Sequence, residues 1–314
     1  MAIIVVSEAI DRMGLEILSH AGDVHYDERL WNSPDNLFKW VAGANALVIR
    51  NQMNVTAELL DRAPHVKVIG RLGVGVDNID LRAAHERGVT VVTARGANAM
   101  AVAEYVFAVL FYFSRQLHLV DQSVRRGEWN RSLGGFELHG KTLGLIGLGD
   151  IGQRMAFRAR NFGLRVVAFD PWQLTTHMAA MDMGVALKNF DEVFESADFV
   201  SVHVPLIEST RGLVDAGALA RMKPGSYFIN TSRGGIVDEE ALLKAVQTGQ
   251  LAGAALDVRT HEPSPSNDAL YRESRILLTP HISGLTAEAG MRTATTVAED
   301  VVRVLSGQPP MAAV

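Results

Sequence analysis

The chain lacks cysteine entirely and has only a small excess of acidic over basic residues. Without cysteine it can form no disulfide bond, thiolate nucleophile or cysteine-ligated zinc or iron–sulfur centre, so any redox chemistry must belong to a bound cofactor. The net charge is −5, from 30 basic and 35 acidic residues that are interspersed. No basic face large enough for a phosphate backbone is expected, which excludes nucleic acid as a partner. We also expect no bound metal.

The chain also has no apolar run long enough to cross a membrane. Its most apolar segment, residues 99–113, is interrupted by Glu104 and is shorter than the ~20 residues that a spanning helix needs. We interpret it as a buried helix at a domain or subunit boundary. The N-terminus begins with a strand-like run at residues 3–6 and lacks the basic and apolar regions of a signal peptide. The sequence therefore predicts a cytoplasmic protein without a membrane partner.

Short β-type runs alternate with helical segments along the whole chain. Because the chain has 314 residues, 48% of them apolar, two domains are expected. We predict an α/β protein of two doubly wound parallel-sheet domains with a cleft between them. The predicted domains are residues 1–95 with 286–314, and residues 96–285. The predicted strands are residues 3–6, 46–49, 66–69 and 89–92 in the first domain, and 143–146, 166–169, 199–204, 227–230, 254–258 and 276–278 in the second.

A glycine-rich turn connects the first strand of the second domain to a helix. Gly147, Gly149 and Gly152 follow an apolar run, and Asp150 and Ile151 open the helical segment. In such a turn one glycine permits the sharp bend, one lets the backbone approach a pyrophosphate, and one lets the helix pack on the strand. The amides and dipole of the first helical turn favour the phosphate charges. This segment is a candidate dinucleotide-binding turn.

Asp170 ends the next apolar run, 18 residues after the last glycine of the turn. This spacing is typical of the carboxylate that accepts hydrogen bonds from the adenosine ribose of a dinucleotide. Because a carboxylate there repels a 2′-phosphate, we predict NAD rather than NADP as the cofactor. The alternative is a strand-end carboxylate that only caps the turn before Pro171.

Three polar residues follow the later strands of the second domain: Arg233, Glu262 and His281. In an open α/β sheet, ligands bind at the carboxyl ends of the strands. Hydride exchange with a 2-hydroxy or 2-oxo acid requires a cation for the carboxylate, a proton donor and acceptor for the oxygen, and a group that tunes that donor. A neighbouring carboxylate favours the imidazolium form of a histidine. The alternative is a solvated surface charge or a satisfied histidine at each position.

Five motifs occur together in a fixed order over nearly the whole chain. They are GVGVDNID at 73–80, GLGDIG at 147–152, NTSRGGIVD at 230–238, ALDV at 255–258 with Glu262-Pro263, and PHISG at 280–284. In these motifs the chain resembles the D-isomer-specific 2-hydroxyacid dehydrogenases, the family that includes 3-phosphoglycerate dehydrogenase. The resemblance implies a Rossmann cofactor domain, a flavodoxin-like substrate domain and a homodimer.

The resemblance also implies roles for individual residues. Arg233 would bind the substrate carboxylate and 2-oxygen, His281 would be the general acid and base, and Glu262 would pair with His281. The substrate carboxylate would also contact the Val74 and Gly75 amides, and Arg50 lies where the first domain can reach the substrate. The cofactor site would comprise Gly147, Gly149, Asp150, Ile151, Gly152, Asp170, Val204, Pro205, Thr231, Asp257 and His281.

The sequence departs from the family pattern at two positions near these residues. Arg259-Thr260 stands where relatives often have Phe-Glu, which changes the local charge beside Glu262. Met53 replaces a common threonine, so we expect a more apolar substrate-facing loop. Because the printed sequence ends at Val314, we expect no regulatory domain of the kind that some phosphoglycerate dehydrogenases append.

The sequence thus predicts an NAD-dependent D-2-hydroxyacid dehydrogenase. Arg50 and the non-aromatic residue at position 53 favour a small or anionic substrate side group, and formate oxidation is disfavoured because that branch lacks the Glu262 carboxylate. Candidate substrates are 3-phosphoglycerate, glyoxylate or hydroxypyruvate, lactate-like acids and sulfolactate. The alternative from another class is an NAD(H)-sensing, corepressor-like binding protein, since such proteins resemble the same family.

Overall fold

The computed structural model describes residues 1–173 and 182–314. The chain divides into two compact units, the first formed by Met1–Asn98 with Leu285–Val314 and the second by Ala99–Gly284. The first unit therefore ends at Asn98 where the sequence predicts residue 95, and resumes at Leu285 where it predicts residue 286. Within the described residues, no helix combines the length and apolar character that spanning a membrane requires.

The first unit contains a five-stranded parallel sheet with the order β2-β1-β3-β4-β5. Its strands are β1 (Ala2–Val6), β2 (Gly22–Tyr26), β3 (Ala46–Ile49), β4 (Val68–Arg71) and β5 (Thr90–Thr93), and its helices are α1 (Arg12–Ala21), α2 (Pro34–Val41), α3 (Ala57–Asp61), α4 (Leu81–Glu86) and the C-terminal helix (Ala287–Leu305). The C-terminal helix buries Val297 and Val301 against β4, because Gly70 leaves room for both valines. This packing explains why the last segment of the chain belongs to the first unit.

The second unit contains a seven-stranded parallel sheet with the order β12-β11-β10-β9-β6-β7-β8. Its strands are β6 (Thr142–Ile146), β7 (Arg165–Phe169), β8 (Val185–Leu187), β9 (Phe199–Val202), β10 (Ser226–Asn230), β11 (Leu251–Leu256) and β12 (Ile276–Leu278). Its helices are α5 (Ala99–Arg115), α6 (Leu117–Arg125), α7 (Asp150–Asn161), α8 (Phe190–Ser196), α9 (Ala216–Arg221) and α10 (Glu239–Gln247). Short 3-10 turns occur at Leu30–Asn32, Arg131–Leu133, Glu208–Thr210, Gly234–Ile236 and Ala269–Arg272.

The doubly wound α/β prediction is confirmed, and both sheets are one strand larger than the sequence suggests. The sequence analysis missed β2 and β8. Both lie at a sheet edge, where β2 carries a glycine, an aspartate and a histidine and β8 has only three residues, so neither shows a clear apolar pattern. The strand order reverses at β6, which lies between β7 and β9. Such a switch point is where open α/β sheets bind ligands.

Candidate active site

The glycine turn at the end of β6 has the geometry that a phosphate-binding turn requires. Gly147 has a φ of +100°, and a Cβ at this position would lie 2.7 Å from the carbonyl oxygen of His203. A Cβ at Gly152 would lie 2.3 Å from the carbonyl oxygen of Gly147, so only glycine lets the helix pack on the turn. Gly149 caps α7 without a side chain and faces open space. The N-terminus of α7, opened by Asp150 and Ile151, is thus accessible to an anion.

Asp170 holds the glycine turn from the end of β7. Its Oδ2 accepts a hydrogen bond of 2.8 Å from the Leu148 amide, and its Oδ1 accepts one of 2.9 Å from the Trp172 amide. The second bond is the turn-capping role that the sequence left open as an alternative. Because a carboxylate offers about four acceptor positions, both oxygens retain capacity for a ribose hydroxyl. The cofactor role of Asp170 stays a prediction.

His203, between β9 and the predicted cofactor residues Val204 and Pro205, is a neutral group beside the glycine turn. Its Nε2 lies 2.9 Å from the Ser201 hydroxyl, and burial lowers the pKa of His203 to about 3. The ring therefore carries no charge at neutral pH, so the negative charge of an anion at this turn would have to be met by backbone dipoles. Val204 is half-buried and Pro205 is exposed.

Thr231 supplies an unsatisfied polar atom at the end of β10. Its hydroxyl oxygen is buried and has no hydrogen-bond partner among the described residues. Since buried hydroxyls in native proteins are rarely left unpaired, this atom fits the polar edge of a bound molecule. The glycine turn and the Thr231 hydroxyl together suit a dinucleotide with a polar carboxamide.

Arg233 is held by the turn that follows β10. The Asn230 side chain donates to the Arg233 carbonyl at 2.9 Å and accepts from the Ser232 amide at 3.0 Å, while the Ser232 hydroxyl donates to the Val202 carbonyl at 2.7 Å. The guanidinium also donates to the Ser232 carbonyl at 2.7 Å. Gly234 follows, and a Cβ there would lie 2.0 Å from the Arg259 carbonyl carbon. Only glycine therefore lets the Arg233 turn pack on the Arg259 segment.

His281 and Glu262 form a hydrogen-bonded pair. His281 Nδ1 lies 2.8 Å from Glu262 Oε2, and Glu262 Oε1 accepts a bond of 2.9 Å from the Arg259 amide. Burial alone would raise the pKa of Glu262, but the hydrogen bonds from His281 and the Arg259 amide, with the charges of His281 and Arg233, lower it below its ordinary value. The structure thus brings the three predicted catalytic residues together, with Glu262 in contact with His281 and within the field of Arg233.

Asp257 is an almost fully buried carboxylate, 1% exposed, that fixes the backbone around His281. It accepts hydrogen bonds from the Thr279 hydroxyl at 2.6 Å and from the Ile282 and Ser283 amides at 2.8 and 2.9 Å. Because Thr279 donates to Asp257, it accepts from the Tyr105 hydroxyl, which lies 2.6 Å away. The sequence analysis missed Thr279 and Tyr105 as site residues.

Within the described ranges, no group of three or more His, Asp or Glu side chains is arranged to hold a metal ion.

The residues predicted to contact substrate from the first unit lie on two loops, which follow β3 and β4. Val74 is exposed and Gly75 half-buried on the β4 loop. Arg50 opens the β3 loop, and the amides of residues 50–53 all donate to one buried carboxylate, Glu8, at 2.7 to 3.2 Å. The Asn78 side chain donates to the carbonyls of Arg50 and Met53 at 3.1 and 2.6 Å. Asn78 therefore ties the two loops together.

One expectation for the β3 loop is wrong. Met53 does not make the loop surface more apolar, because its side chain is only 3% exposed and packs in the core of the first unit. Glu8 accepts the Met53 amide at 3.2 Å, and the Met53 side chain belongs to the same buried apolar cluster as Val5, Leu47 and Ile49. Glu8 itself was missed, since nothing local in the sequence links it to a loop more than forty residues away.

Comparison with known proteins identifies the family. Residues 107–283 match the model described as the NAD binding domain of D-isomer specific 2-hydroxyacid dehydrogenases. The chain is 40% identical over 306 residues to a D-3-phosphoglycerate dehydrogenase of Archaeoglobus fulgidus, covering 96% of this chain and 56% of that protein. The chain thus spans little more than half the length of this relative.

Two further relatives are matched over almost their full length. An (S)-sulfolactate dehydrogenase of Chromohalobacter salexigens is 41% identical over 306 residues, which cover 97% of this chain and 99% of that protein. The crystal structure of the TT0316 protein from Thermus thermophilus is similar with a TM-score of 0.90 and 35% identity, covering 99% of each chain. The resemblance seen in the sequence motifs is confirmed: the chain belongs to the D-isomer specific 2-hydroxyacid dehydrogenase family and contains its NAD-binding domain.

Proposed function

We propose that the protein is an NAD-dependent oxidoreductase that interconverts a small D-2-hydroxy acid and the corresponding 2-oxo acid. The observation that carries this proposal is the 2.8 Å contact between His281 and Glu262, with the positive charge of Arg233 acting on the same carboxylate. An imidazole held by a carboxylate beside a guanidinium meets the demands of proton transfer at a carbonyl oxygen whose acid group must also be bound.

Each of the three side chains has a distinct task in this reaction. Bound NAD supplies the hydride acceptor or donor at C2 of the substrate. Since Nδ1 of His281 faces Glu262, Nε2 is the ring atom that gives a proton to the 2-oxygen during reduction and takes it back during oxidation. Glu262 fixes the ring and stabilises its protonated form. Arg233 binds the substrate carboxylate and polarises the 2-oxygen.

The cofactor is assigned to the carboxyl ends of β6, β7, β9, β10 and β11. The turn from Gly147 to Gly152 holds the pyrophosphate and Asp170 accepts the ribose hydroxyls. Val204 and Pro205 line the same end of the sheet. The unpaired Thr231 hydroxyl and Asp257 serve the nicotinamide carboxamide. In support, these positions combine an open helix N-terminus with a buried polar atom that has no partner in the described chain.

The substrate carries a small or anionic side group. Arg50 and the amides of Val74 and Gly75 are proposed to take part in binding it, and the Glu8 carboxylate and Asn78 amide hold the Arg50 loop in one conformation. Sulfolactate, 3-phosphoglycerate and glyoxylate or hydroxypyruvate are the substrates to compare. We place the protein in the cytoplasm as a homodimer. Apolar side chains exposed along α5 and α6, such as Phe111 and Leu117, are in keeping with a second copy of the chain as partner.

The proposal is tested by following NADH absorbance with a panel of 2-oxo acids, using wild-type protein and His281→Ala. We expect turnover with at least one acid and a loss of roughly 10²-fold to 10⁴-fold in the variant, while NADH binding, measured by fluorescence, is retained. Undiminished turnover in His281→Ala would reject the role of His281. NADH binding without turnover on any acid would favour the NAD(H)-sensing alternative.

A further inference from the structure

The Arg259 guanidinium forms a buried charge cluster next to the His281 and Glu262 pair. Its side chain is only 9% exposed and lies 2.9 Å from Glu239 and 2.6 Å from Asp268, each of which is 17% exposed. Two carboxylates therefore share one buried cation. Breaking such a cluster leaves an unpaired charge out of water, so its geometry is strongly fixed.

The cluster joins three segments of the second unit. Glu239 opens α10, Asp268 caps the 3-10 turn Ala269–Arg272, and Arg259 lies just after β11. Glu239 also accepts hydrogen bonds from the amide and hydroxyl of Thr260, at 2.7 and 3.0 Å. The side chain of Arg259 and the backbone of Thr260 are thus anchored to the same carboxylate, which fixes the start of the loop that carries Glu262.

The Glu262 carboxylate depends on this loop. One of its oxygens accepts the Arg259 amide at 2.9 Å and the other contacts His281 at 2.8 Å. The close packing of Gly234 on the Arg259 carbonyl brings the Arg233 turn against the same segment. A change in the position of Arg259 would therefore reach all three proposed catalytic residues.

We propose that the Arg259 side chain, clamped between Glu239 and Asp268, is a positioning residue that holds Glu262 against His281. The inference rests on the proposed function, because it assigns the cluster to the acid and base pair of that reaction. Arg259 touches neither His281 nor the reacting atoms in this role. It acts through the Glu262 loop.

The first test compares Arg259→Met with Arg275→Met as the matched control. Arg275, whose side chain is 43% exposed, forms a 2.8 Å pair with Glu273 just before β12. We expect kcat of Arg259→Met to fall by roughly tenfold to hundredfold, the loss typical of a small displacement of catalytic groups, with NADH affinity unchanged. The low-pH limb of kcat/KM should move to higher pH, because the backbone amide of residue 259, which the substitution keeps, would be displaced from Glu262 and would no longer lower the pKa of that carboxyl. Arg275→Met should match wild type in kcat, in NADH affinity and in the pH dependence of kcat/KM.

The second test does not depend on turnover. The nitrogen-15 chemical shift of His281 Nδ1, assigned by its absence from His281→Ala, reports the contact with Glu262 directly. Arg259→Met should move this shift in the same direction as Glu262→Gln, and Arg259→Lys should give an intermediate value, because lysine keeps the positive charge but lacks the planar guanidinium fork that spans both carboxylates. If wild-type protein turns over no acid, the proposed function fails while this measurement still decides the role of Arg259.

Folding is checked through the thermal midpoint of each variant. If Arg259→Met does not fold, Glu239→Gln takes its place, since it keeps the Arg259 contact with Asp268 and loosens the anchor on Thr260. We expect the same changes at smaller amplitude. A folded Arg259→Met or Glu239→Gln protein with wild-type kcat, pH profile and Nδ1 shift would overturn the proposal.

Discussion

Two glutamates, one in each unit, show how the same side chain serves different ends. Glu8 is 3% exposed, and its carboxylate accepts four backbone amides from residues 50–53. Glu262 is 38% exposed at its side chain and divides its oxygens between one backbone amide and the His281 ring. A backbone amide only donates its hydrogen bond, whereas a nitrogen of an imidazole ring can donate or accept one. The first carboxylate therefore fixes a loop, and the second contacts the ring that we propose as the acid and base.

The largest effect is expected from Glu262→Gln. The amide cannot stabilise a protonated imidazole as a carboxylate does, so kcat should fall by about 10²-fold or more with little change in NADH binding. Steady-state kinetics and NADH fluorescence measure both quantities, and Glu273→Gln is the control, since Glu273 pairs with Arg275 away from His281. If Glu262→Gln has the kcat of wild type, Glu262 has no part in the reaction and differs from Glu8 only in its position.

Glu8→Gln should act on stability instead. The neutral amide replaces one acceptor oxygen by an NH₂ group facing the amides of residues 50–53, so we expect a loss of about 1–3 kcal/mol in the free energy of unfolding. Urea unfolding measures this loss. Glu16→Gln is the control, because Glu16 lies exposed on α1 beside Arg12 and its pair contributes little. Equal stability of the two variants would mean that Glu8 does not hold the loop.

Asp170, like Glu8, accepts hydrogen bonds from backbone amides. A substitution of Asp170 tests whether such a carboxylate can also select the cofactor. Both of its oxygens accept backbone amides, yet we predict that it selects NAD. Asp170→Ser should raise the ratio of kcat/KM for NADPH over NADH by roughly tenfold, because a repulsive charge is removed.

Asp198→Ser is the matched control for Asp170. Its carboxylate accepts a hydrogen bond of 2.7 Å from the Thr142 amide at the amino end of β6. The glycine turn lies at the other end of the same strand. The control should lower stability and leave the cofactor ratio unchanged. If the ratio of kcat/KM for NADPH over NADH is also unchanged in Asp170→Ser, Asp170 only caps the turn and does not select the cofactor.

The smallest effect concerns pH. Because the pKa of folded Glu262 lies below its ordinary value of 4.5, its hydrogen bonds contribute stability above that pH and lose it as the pH falls through the lowered value. The difference in thermal midpoint between wild type and Glu262→Gln should therefore be small and positive at neutral pH and should vanish in acid. It stays small because the carboxylate is partly exposed. A difference that grows in acid would contradict the assigned direction.

The sequence predicted those features that depend on local pattern. The strand and helix alternation, the glycine turn and the residues that follow β10, β11 and β12 can be found this way, because parallel strands bring their carboxyl ends to one edge. The sequence did not predict the side chains that hold these residues in place. Glu8 and Asn78 act across loops separated by many residues, and the Tyr105 and Thr279 contact joins α5 to the end of β12. No local sequence pattern marks these side chains, because their partners come close only in the tertiary fold.

His281 adopts a φ of +56°, in the left-handed region that glycine occupies most readily. The His281 amide donates to the Asp257 carbonyl at 2.8 Å and the Ile282 amide donates to Asp257 Oδ1 at 2.8 Å, so hydrogen bonds hold the backbone on both sides of this conformation. A non-glycine residue held there is under backbone strain of about 1 kcal/mol or more. Glycine, which has no Cβ, would relieve this strain, but it would also remove the imidazole. The proposed acid and base role of His281 and the stability of the chain therefore make opposite demands on this one residue.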